Sequence, residues 1–272
     1  MQNNSNKIVV ITGSTQGIGF GLADSFLKLG CSVVVSSRTP EKVREAVKEL
    51  SQSYAPERVF GQPCDVCDFS QVQVLWDQAK SHFGRIDIWI NNAGMANAQK
   101  KFWEHDPETI HKVVETNLTG AMYGSVVAVR GMLAQGFGAI YNMEGYGSNG
   151  RRMVAGLALY GSTKAGLRFF DQALMEEVQG TPVLVGFLQP GMVITEMITR
   201  QYEGRPPEEW QRAKRVFNII ADRVETVTPW LAQQVLENRK NGATISWISR
   251  GKIMSRFLLA PFQKRDLFGG EG

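Results

Sequence analysis

The sequence is poor in cysteine and histidine and has no long apolar run. Among 272 residues there are 3 cysteines and 3 histidines. An odd handful of cysteines excludes a disulfide framework and fits a reducing compartment. Cys64 and Cys67 stand in a CxxC spacing, which redox and zinc sites use. No second CxxC follows, and His82, His105 and His111 lie apart. The pair is therefore read as apolar filler around a strand end, and no metal site is expected. No stretch approaches the roughly 18 apolar residues of a membrane span. The opening MQNNSNKIVVITG has no basic region leading an apolar one, so no secretory leader is expected and the expected location is cytoplasmic. Neither a long Lys/Arg run nor a zinc-finger spacing is present, so nucleic acid is not an expected partner. The GxSxG elbow of hydrolases is also missing, and no nucleophile motif accompanies the histidines.

What is present is a globular balance, with 43% hydrophobic and 21% charged residues. The formal net charge of +4 mildly favours anionic ligands such as phosphorylated cofactors. Short apolar, β-branched runs alternate with longer segments of helical period. Strands are expected at 8–12, 32–37, 59–65, 86–91, 138–143, 183–188 and 243–249. Helices are expected at 17–29, 40–50, 70–83, 107–135, 159–178, 208–220 and 229–238, with Asn117 and Gly120 as irregular points in the longest. The strands are apolar almost without interruption, as strands covered on both faces are. Such alternation implies an α/β fold with right-handed crossovers and a parallel sheet. With no linker, repeat or low-complexity stretch, residues 1–272 are read as one domain with a tail at 250–272.

After the first strand comes Thr12-Gly13-Ser14-Thr15-Gln16-Gly17-Ile18-Gly19. Glycines between a strand and a helix let the chain turn sharply and let backbone N–H groups approach a pyrophosphate. The spacing is GxxxGxG rather than GxGxxG. Where NAD-binding folds carry a carboxylate for the ribose 2′-hydroxyl, this chain has Ser37-Arg38. A guanidinium there suits a 2′-phosphate, which favours NADPH over NADH.

Tyr160 and Lys164 are spaced i, i+4 on an expected helix and so share a face. An ammonium near a phenol favours the phenolate and lowers its pKa from near 10. The pair suits proton donation to a carbonyl oxygen while hydride reaches the carbon.

These features recur in order with Asp65-Val66, Asn91-Asn92-Ala93-Gly94, Asn117 and Pro190-Gly191-Met192-Val193 followed by Thr195. The set closely resembles the short-chain dehydrogenase/reductase family over residues 7–249. The resemblance implies a Rossmann-type three-layer αβα sandwich with a seven-stranded parallel sheet. It implies an NAD(P)-dependent oxidoreductase acting on CH–OH/C=O groups, a small-molecule carbonyl substrate, and a homodimer or homotetramer. By the same resemblance Tyr160 would be the general acid. Lys164 would bind the nicotinamide ribose and lower the Tyr160 pKa, and Asn117 would hold a relay water. The turn Gly13 to Gly19 would hold the pyrophosphate. Asp65 and Val66 would touch adenine, and Asn91, Asn92, Ala93 and Gly94 would line the adenosine side. Pro190, Gly191, Val193 and Thr195 would flank the nicotinamide amide.

One position departs from the family. Its usual serine stands 13 residues before the tyrosine, where this chain has Gly147. Aligning on Asn142 instead puts Glu144-Gly145 in place of two serines. Ser148, the nearest hydroxyl, is taken as the replacement. The strings IYNMEGYGS and YGSTKAGLR resemble the chlorophyll(ide) b reductase branch. That branch implies NADPH-dependent reduction of a formyl group on a chlorin ring. A generic ketone, sterol or 3-oxoacyl reductase and a non-catalytic NADPH-binding scaffold are the alternatives. Met197, Tyr202, Trp210 and Phe217 would serve as a lid over a large apolar substrate, or equally as core. The tail mixes Phe257, Leu258, Leu259, Phe262, Leu267 and Phe268 with Arg250, Lys252, Arg256, Lys264 and Arg265. It is read as packing on its own domain or a neighbouring subunit, ahead of a membrane-surface helix or an active-site cover.

Overall fold

The structure is a computed structural model describing residues 6–150, 153–202, 206–260, 262 and 265–268. Lys264 of the tail, Arg151 and Arg152 of the long loop, and residues 1–5 lie outside the described residues. The order is β1 (Ile8–Ile11), α1 (Gly17–Lys28), β2 (Ser32–Val35), α2 (Pro40–Ser53), β3 (Val59–Gly61), α3 (Phe69–Phe83) and β4 (Ile88–Asn91). Next come α4 (Pro107–Val114), α5 (Gly120–Gln135), β5 (Gly138–Met143), α6 (Ala158–Glu177) and β6 (Val183–Gln189). The chain continues through β7 (Met192–Ile194), α7 (Glu196–Thr199), α8 (Pro207–Ile220), β8 (Ala221–Arg223), α9 (Val224–Glu237), β9 (Ala243–Ser246) and α10 (Arg250–Leu259).

Seven strands form one parallel sheet in the order β3-β2-β1-β4-β5-β6-β9. This is the expected Rossmann-type three-layer sandwich. Successive side chains of a strand point to opposite faces. Val9 and Ile11 of β1 enter a core with Phe26 of α1 and Leu231 of α9. Val10, between them, enters the opposite core with Trp76 of α3 and Met132 of α5. Chain direction along the sheet reverses between β1 and β4, and the crevice beyond the strand ends at such a point is where these folds bind ligands.

β2, β4 and β9 are shorter than the sequence pattern suggests (Ser32–Val35, Ile88–Asn91 and Ala243–Ser246), and other elements differ more. The single helix expected at 107–135 is α4 and α5 joined by a π-helical turn, Glu115–Thr119. β3 ends at Gly61, although Gln62 N–H and Cys64 N–H still donate to Val35 O and Ser37 O at 3.0 and 2.9 Å. α9 starts at Val224, not Pro229, and holds that proline inside it. As the sixth helical residue it removes the bond its N–H would make to Glu225 O, and the helix is held instead by its apolar face, which packs tightly on α1. A Cβ added to Gly21 would lie 2.3 Å from Val224 Cγ1. Finally, β7 and β8 make a small second parallel sheet. Three residues are too few for any periodicity to show.

No helix among the described residues is long and apolar enough to cross a membrane. The tail forms α10, and Arg256 and Arg265 anchor it on Asp222 of β8. Phe257, Leu258 and Phe262 are exposed.

Candidate active site

The turn after β1 and the turn after β4 are stitched together. Thr12 Oγ1 accepts the Asn92 and Ala93 amides, both at 3.1 Å. Asn92 Nδ2 donates to Thr12 O and Gly13 O at 3.0 and 2.9 Å. Gly13 has φ +62°, and a Cβ there would lie 2.8 Å from Ala93 Cα. Only glycine fits that approach. α1 then opens at Gly17 with no side-chain cap and no acidic residue in its first turn. Its first amides and positive dipole end stay available to an anion. A Cβ on Gly17 would come within 3.4 Å of Thr195 Cγ2, so Thr195 faces the glycine turn from across the crevice. An uncapped helix start beside side-chain-free glycines fits a dinucleotide pyrophosphate.

Not every residue expected at the cofactor aims its side chain there. Ser14 is fully buried; its hydroxyl donates to Ile11 O at 2.6 Å and accepts Ser36 N–H at 2.9 Å. Ile18 packs on the core, while Gln16 is exposed, 3.4 Å from Lys42 Nζ. Thr15 is half-buried. Ser37 is half-buried at the end of β2 and Arg38 beside it is exposed. Asp65 Oδ1 accepts the Cys67 amide at 3.0 Å, and Val66 packs within 2.7 Å of a Cβ built on Gly120.

The π turn places Asn117. Extra turns of this kind cluster at functional sites. Asn117 Oδ1 accepts Met95 N–H at 2.8 Å, and its Nδ2 donates to Met95 O at 2.9 Å and Thr163 Oγ1 at 3.2 Å. Both side-chain atoms are thus engaged by protein groups. Gly94 sits between Asn117 and Lys164: its Cβ would lie 3.3 Å from Asn117 Oδ1 and 3.9 Å from Lys164 Nζ. Lys164 Nζ donates to Met143 O at 2.9 Å, 5.8 Å from the Tyr160 ring centre.

The expected lowering of the Tyr160 pKa does not appear. Burial pushes the phenol up to about 12. It pushes Lys164 down to about 8, with Asp171 and Glu144 opposing. The amine points to the Met143 carbonyl, and desolvation governs the phenol. A neutral phenol is the form that donates a proton.

Ser148 is buried, and its hydroxyl closes a turn on Gly145, donating to Gly145 O at 2.7 Å and accepting Gly145 N–H at 3.1 Å. That turn lays Gly145 on Tyr160: a Cβ there would stand 2.4 Å from the phenol oxygen. Gly147, reached by counting back from Tyr160, instead lies on the backbone of Gly161.

Sequence reasoning missed the support beneath. Glu144, almost fully buried, pairs with Arg168 Nη1 and accepts Gln189 Nε2 at 2.5 Å. Asp171, fully buried, accepts Asn142 Nδ2 on Oδ1, while Oδ2 has no partner. Burial raises its pKa to about 8. A glutamate closing an apolar strand in YNMEG, and Arg168 one turn beyond Lys164, were the available signals.

Tyr202, Trp210 and Phe217 pack on one another and on Phe268 of the tail, while Met197 is exposed. Cys64 lies in the second core, and burial pushes its thiol up to about 12. Among the described residues no group of three or more His, Cys, Asp or Glu could hold a metal.

A doubly wound sheet with tyrosine, lysine and asparagine beside its glycine turn defines a dinucleotide-type oxidoreductase. The chain belongs to the short-chain dehydrogenase family, whose model matches residues 7–206. It is 34% identical over 97% of its length to the probable chlorophyll(ide) b reductase NYC1 of Oryza sativa subsp. japonica, covering 54% of that protein. It is 37% identical over 84% of its length to the chlorophyll(ide) b reductase NOL of the same organism, covering 66% of it. The chain thus spans about half to two-thirds of these relatives. Among solved structures, an actinorhodin polyketide ketoreductase variant with NADPH superposes with a TM-score of 0.77 at 27% identity, covering 91% of this chain and 97% of that one. The cytoplasmic expectation is corrected: these reductases from Oryza sativa and their counterparts in Arabidopsis thaliana are chloroplastic proteins.

Proposed function

We propose that this chain is an NADPH-dependent carbonyl reductase for a bulky, flat, apolar aldehyde, such as the formyl group of a chlorophyll(ide) b-like ring. One observation carries the reading: Tyr160 and Lys164 share a helix face, with Lys164 Nζ 5.8 Å from the phenol ring centre and 3.9 Å from a Cβ built on Gly94, in the turn stitched to the glycine turn. The relatives' names agree with it. The α1 N-terminus and Gly13, Gly17 and Gly19 hold the pyrophosphate. Arg38 and Ser37 take the 2′-phosphate, and Asp65, Val66 and the Asn92-Ala93-Gly94 turn bound the adenosine side. Pro190, Gly191, Val193 and Thr195 bound the nicotinamide amide. Bound NADPH supplies hydride to the carbonyl carbon. Tyr160 gives its proton to the carbonyl oxygen. Lys164 binds the ribose and supplies positive charge beside the phenolate left behind. Asn117 fixes the Met95 loop against that lysine, and Ser148 shapes the Gly145 turn that lies on the phenol, orienting the carbonyl when its hydroxyl proton turns from Gly145 O to the substrate. Residues 1–272 acting as one domain, in a homodimer or homotetramer, complete the proposal.

The test is NADPH oxidation, followed by absorbance, with a panel of aldehydes and ketones that includes chlorophyllide b. Turnover on bulky aromatic aldehydes supports the reading. Tight NADPH binding with no turnover on any of them overturns it in favour of a cofactor-binding scaffold. In Ser148→Ala, turnover drops with NADPH affinity unchanged; wild-type turnover there would remove Ser148 from the mechanism.

A further inference from the structure

The tail meets the site at one buried carboxylate. Asp222 lies in the middle of β8, its side chain 4% exposed. It accepts Arg256 Nη2 on both oxygens at 2.9 and 2.7 Å, Arg265 Nη2 on Oδ1 at 2.7 Å, and Trp247 Nε1 on Oδ2 at 2.6 Å. Both arginines come from beyond β9. They also reach main-chain carbonyls at the end of α8 and the start of β8. Arg256 donates to Ile220 O at 3.2 Å, and Arg265 to Ile219 O at 3.2 Å and Ala221 O at 2.8 Å. Carbonyls at a helix end lack intrahelical partners, and cations are favoured there. Two residues on, Leu267 N–H donates to Asn218 Oδ1 at 2.9 Å. Phe268 then packs on Trp210 and Phe217, closing the aromatic cluster of α8.

The partner of β8 is the strand expected beside the nicotinamide. Val193 is paired with Asp222 in parallel register, and Ile194 with Arg223. β7 follows Pro190-Gly191 directly and delivers Thr195 to the glycine turn. A three-residue pair of strands is marginal by itself. Its outer strand is instead held by the donors converging on Asp222. The carboxylate is also held in direction, because Arg256 Nη2 meets both of its oxygens while Arg265 and Trp247 each hold one of them.

We propose that Asp222 is a positioning residue: through Arg256 and Arg265 it makes the tail a clamp that holds β7, with Val193 and Thr195, in place at the nicotinamide end of the crevice. The inference rests on the cofactor reading above for the identity of what β7 faces. It does not rest on that reading for the clamp itself.

Arg265→Gln leaves Asp222 paired with Arg256 and Trp247, so no charge is stranded. Two measurements are made on the full chain: hydrogen–deuterium exchange across 190–196 and the NADPH dissociation constant. The clamp predicts faster exchange at 190–196 with β1, β4 and β5 unchanged, and NADPH binding weakened about tenfold, equal to about 1.4 kcal/mol. Arg265→Lys, which keeps the charge on a single donor nitrogen in place of two, restores part of both and serves in place of Arg265→Gln if that variant fails to fold. Exchange at 190–196 equal to wild type in a folded variant overturns the clamp. Wild-type protein that binds no NADPH overturns the cofactor reading, and the exchange result then decides the clamp alone.

Discussion

The phenol oxygen of Tyr160 occupies the space next to Gly145 where a side chain would begin, 2.4 Å from the position of a Cβ. Short-chain dehydrogenases usually place a serine in this strand-end stretch; here the absence of a side chain lets the loop close over the phenol. Gly145→Ala must push a rigid ring aside. Displacements of about 1 Å in reacting groups cost on the order of a hundredfold in rate. Gly145→Ala is therefore expected to lose about that factor in kcat while NADPH affinity and thermal midpoint hold. Steady-state kinetics with a carbonyl substrate check it, and an active Gly145→Ala enzyme would place the reacting carbonyl elsewhere.

The buried ammonium of Lys164 gives the activity an alkaline limb. Desolvation lowers its pKa to about 8 while Asp171 and Glu144 pull it upward. A cationic acid with a lowered pKa is charged below that value and neutral above it. Activity that needs the charge falls as pH rises through about 8. Glu144→Gln removes one of the opposing charges and should shift the limb to lower pH. Lys164→Arg keeps its charge and should lack the limb, though at a lower rate. Profiles of kcat/KM against pH for the three proteins test this.

Local patterns made part of this legible. The glycine turn, Asn117 and the Tyr160–Lys164 pair are recorded by spacing along the chain, because a turn or a helix face is built from near neighbours. The parallel sheet followed from alternating strands and helices, while the order of its strands is seen only in the fold. The supporting charges were not legible in that way. Glu144 meets Arg168 24 residues on, and Asp222 meets Arg265 43 residues on, through elements whose contact only the folded sheet creates. The serine was obscured for another reason. Counting back 13 residues from Tyr160 assumes a loop of standard length, and this longer loop puts Gly145, not Gly147, against the phenol.

Arg38 is exposed three residues beyond β2, where a carboxylate would bind the ribose diol of NADH. A charged hydrogen bond to a phosphate is worth about 1.5–3 kcal/mol, or roughly a ten- to hundredfold preference. Arg38→Asp should raise the KM for NADPH by that order and improve use of NADH, leaving kcat with saturating cofactor close to wild type. Kinetics with both cofactors decide it: unchanged preference would mean that another group reads the 2′-phosphate.

Asp171 should leave a signature in stability rather than rate. Its carboxyl has an ordinary pKa of 3.8, and burial raises it to about 8 in the fold. Between those values the folded chain keeps a proton that the unfolded chain has released. Stability contributed by this group is present below about pH 4 and is lost as pH rises towards about 8. Oδ2 has no hydrogen-bond partner, and desolvation outweighs what the Asn142 hydrogen bond and the Lys164 and Arg168 charges give the ionised form. Asp171→Asn resembles the neutral acid in shape and has no proton to release. Urea unfolding at about pH 5 and about pH 8 should show wild type losing more stability than Asp171→Asn, by on the order of 2–4 kcal/mol. Parallel losses in the two proteins would mean that Asp171 is already ionised in the fold at pH 5, and that Lys164 lies beside a negative charge rather than a neutral acid.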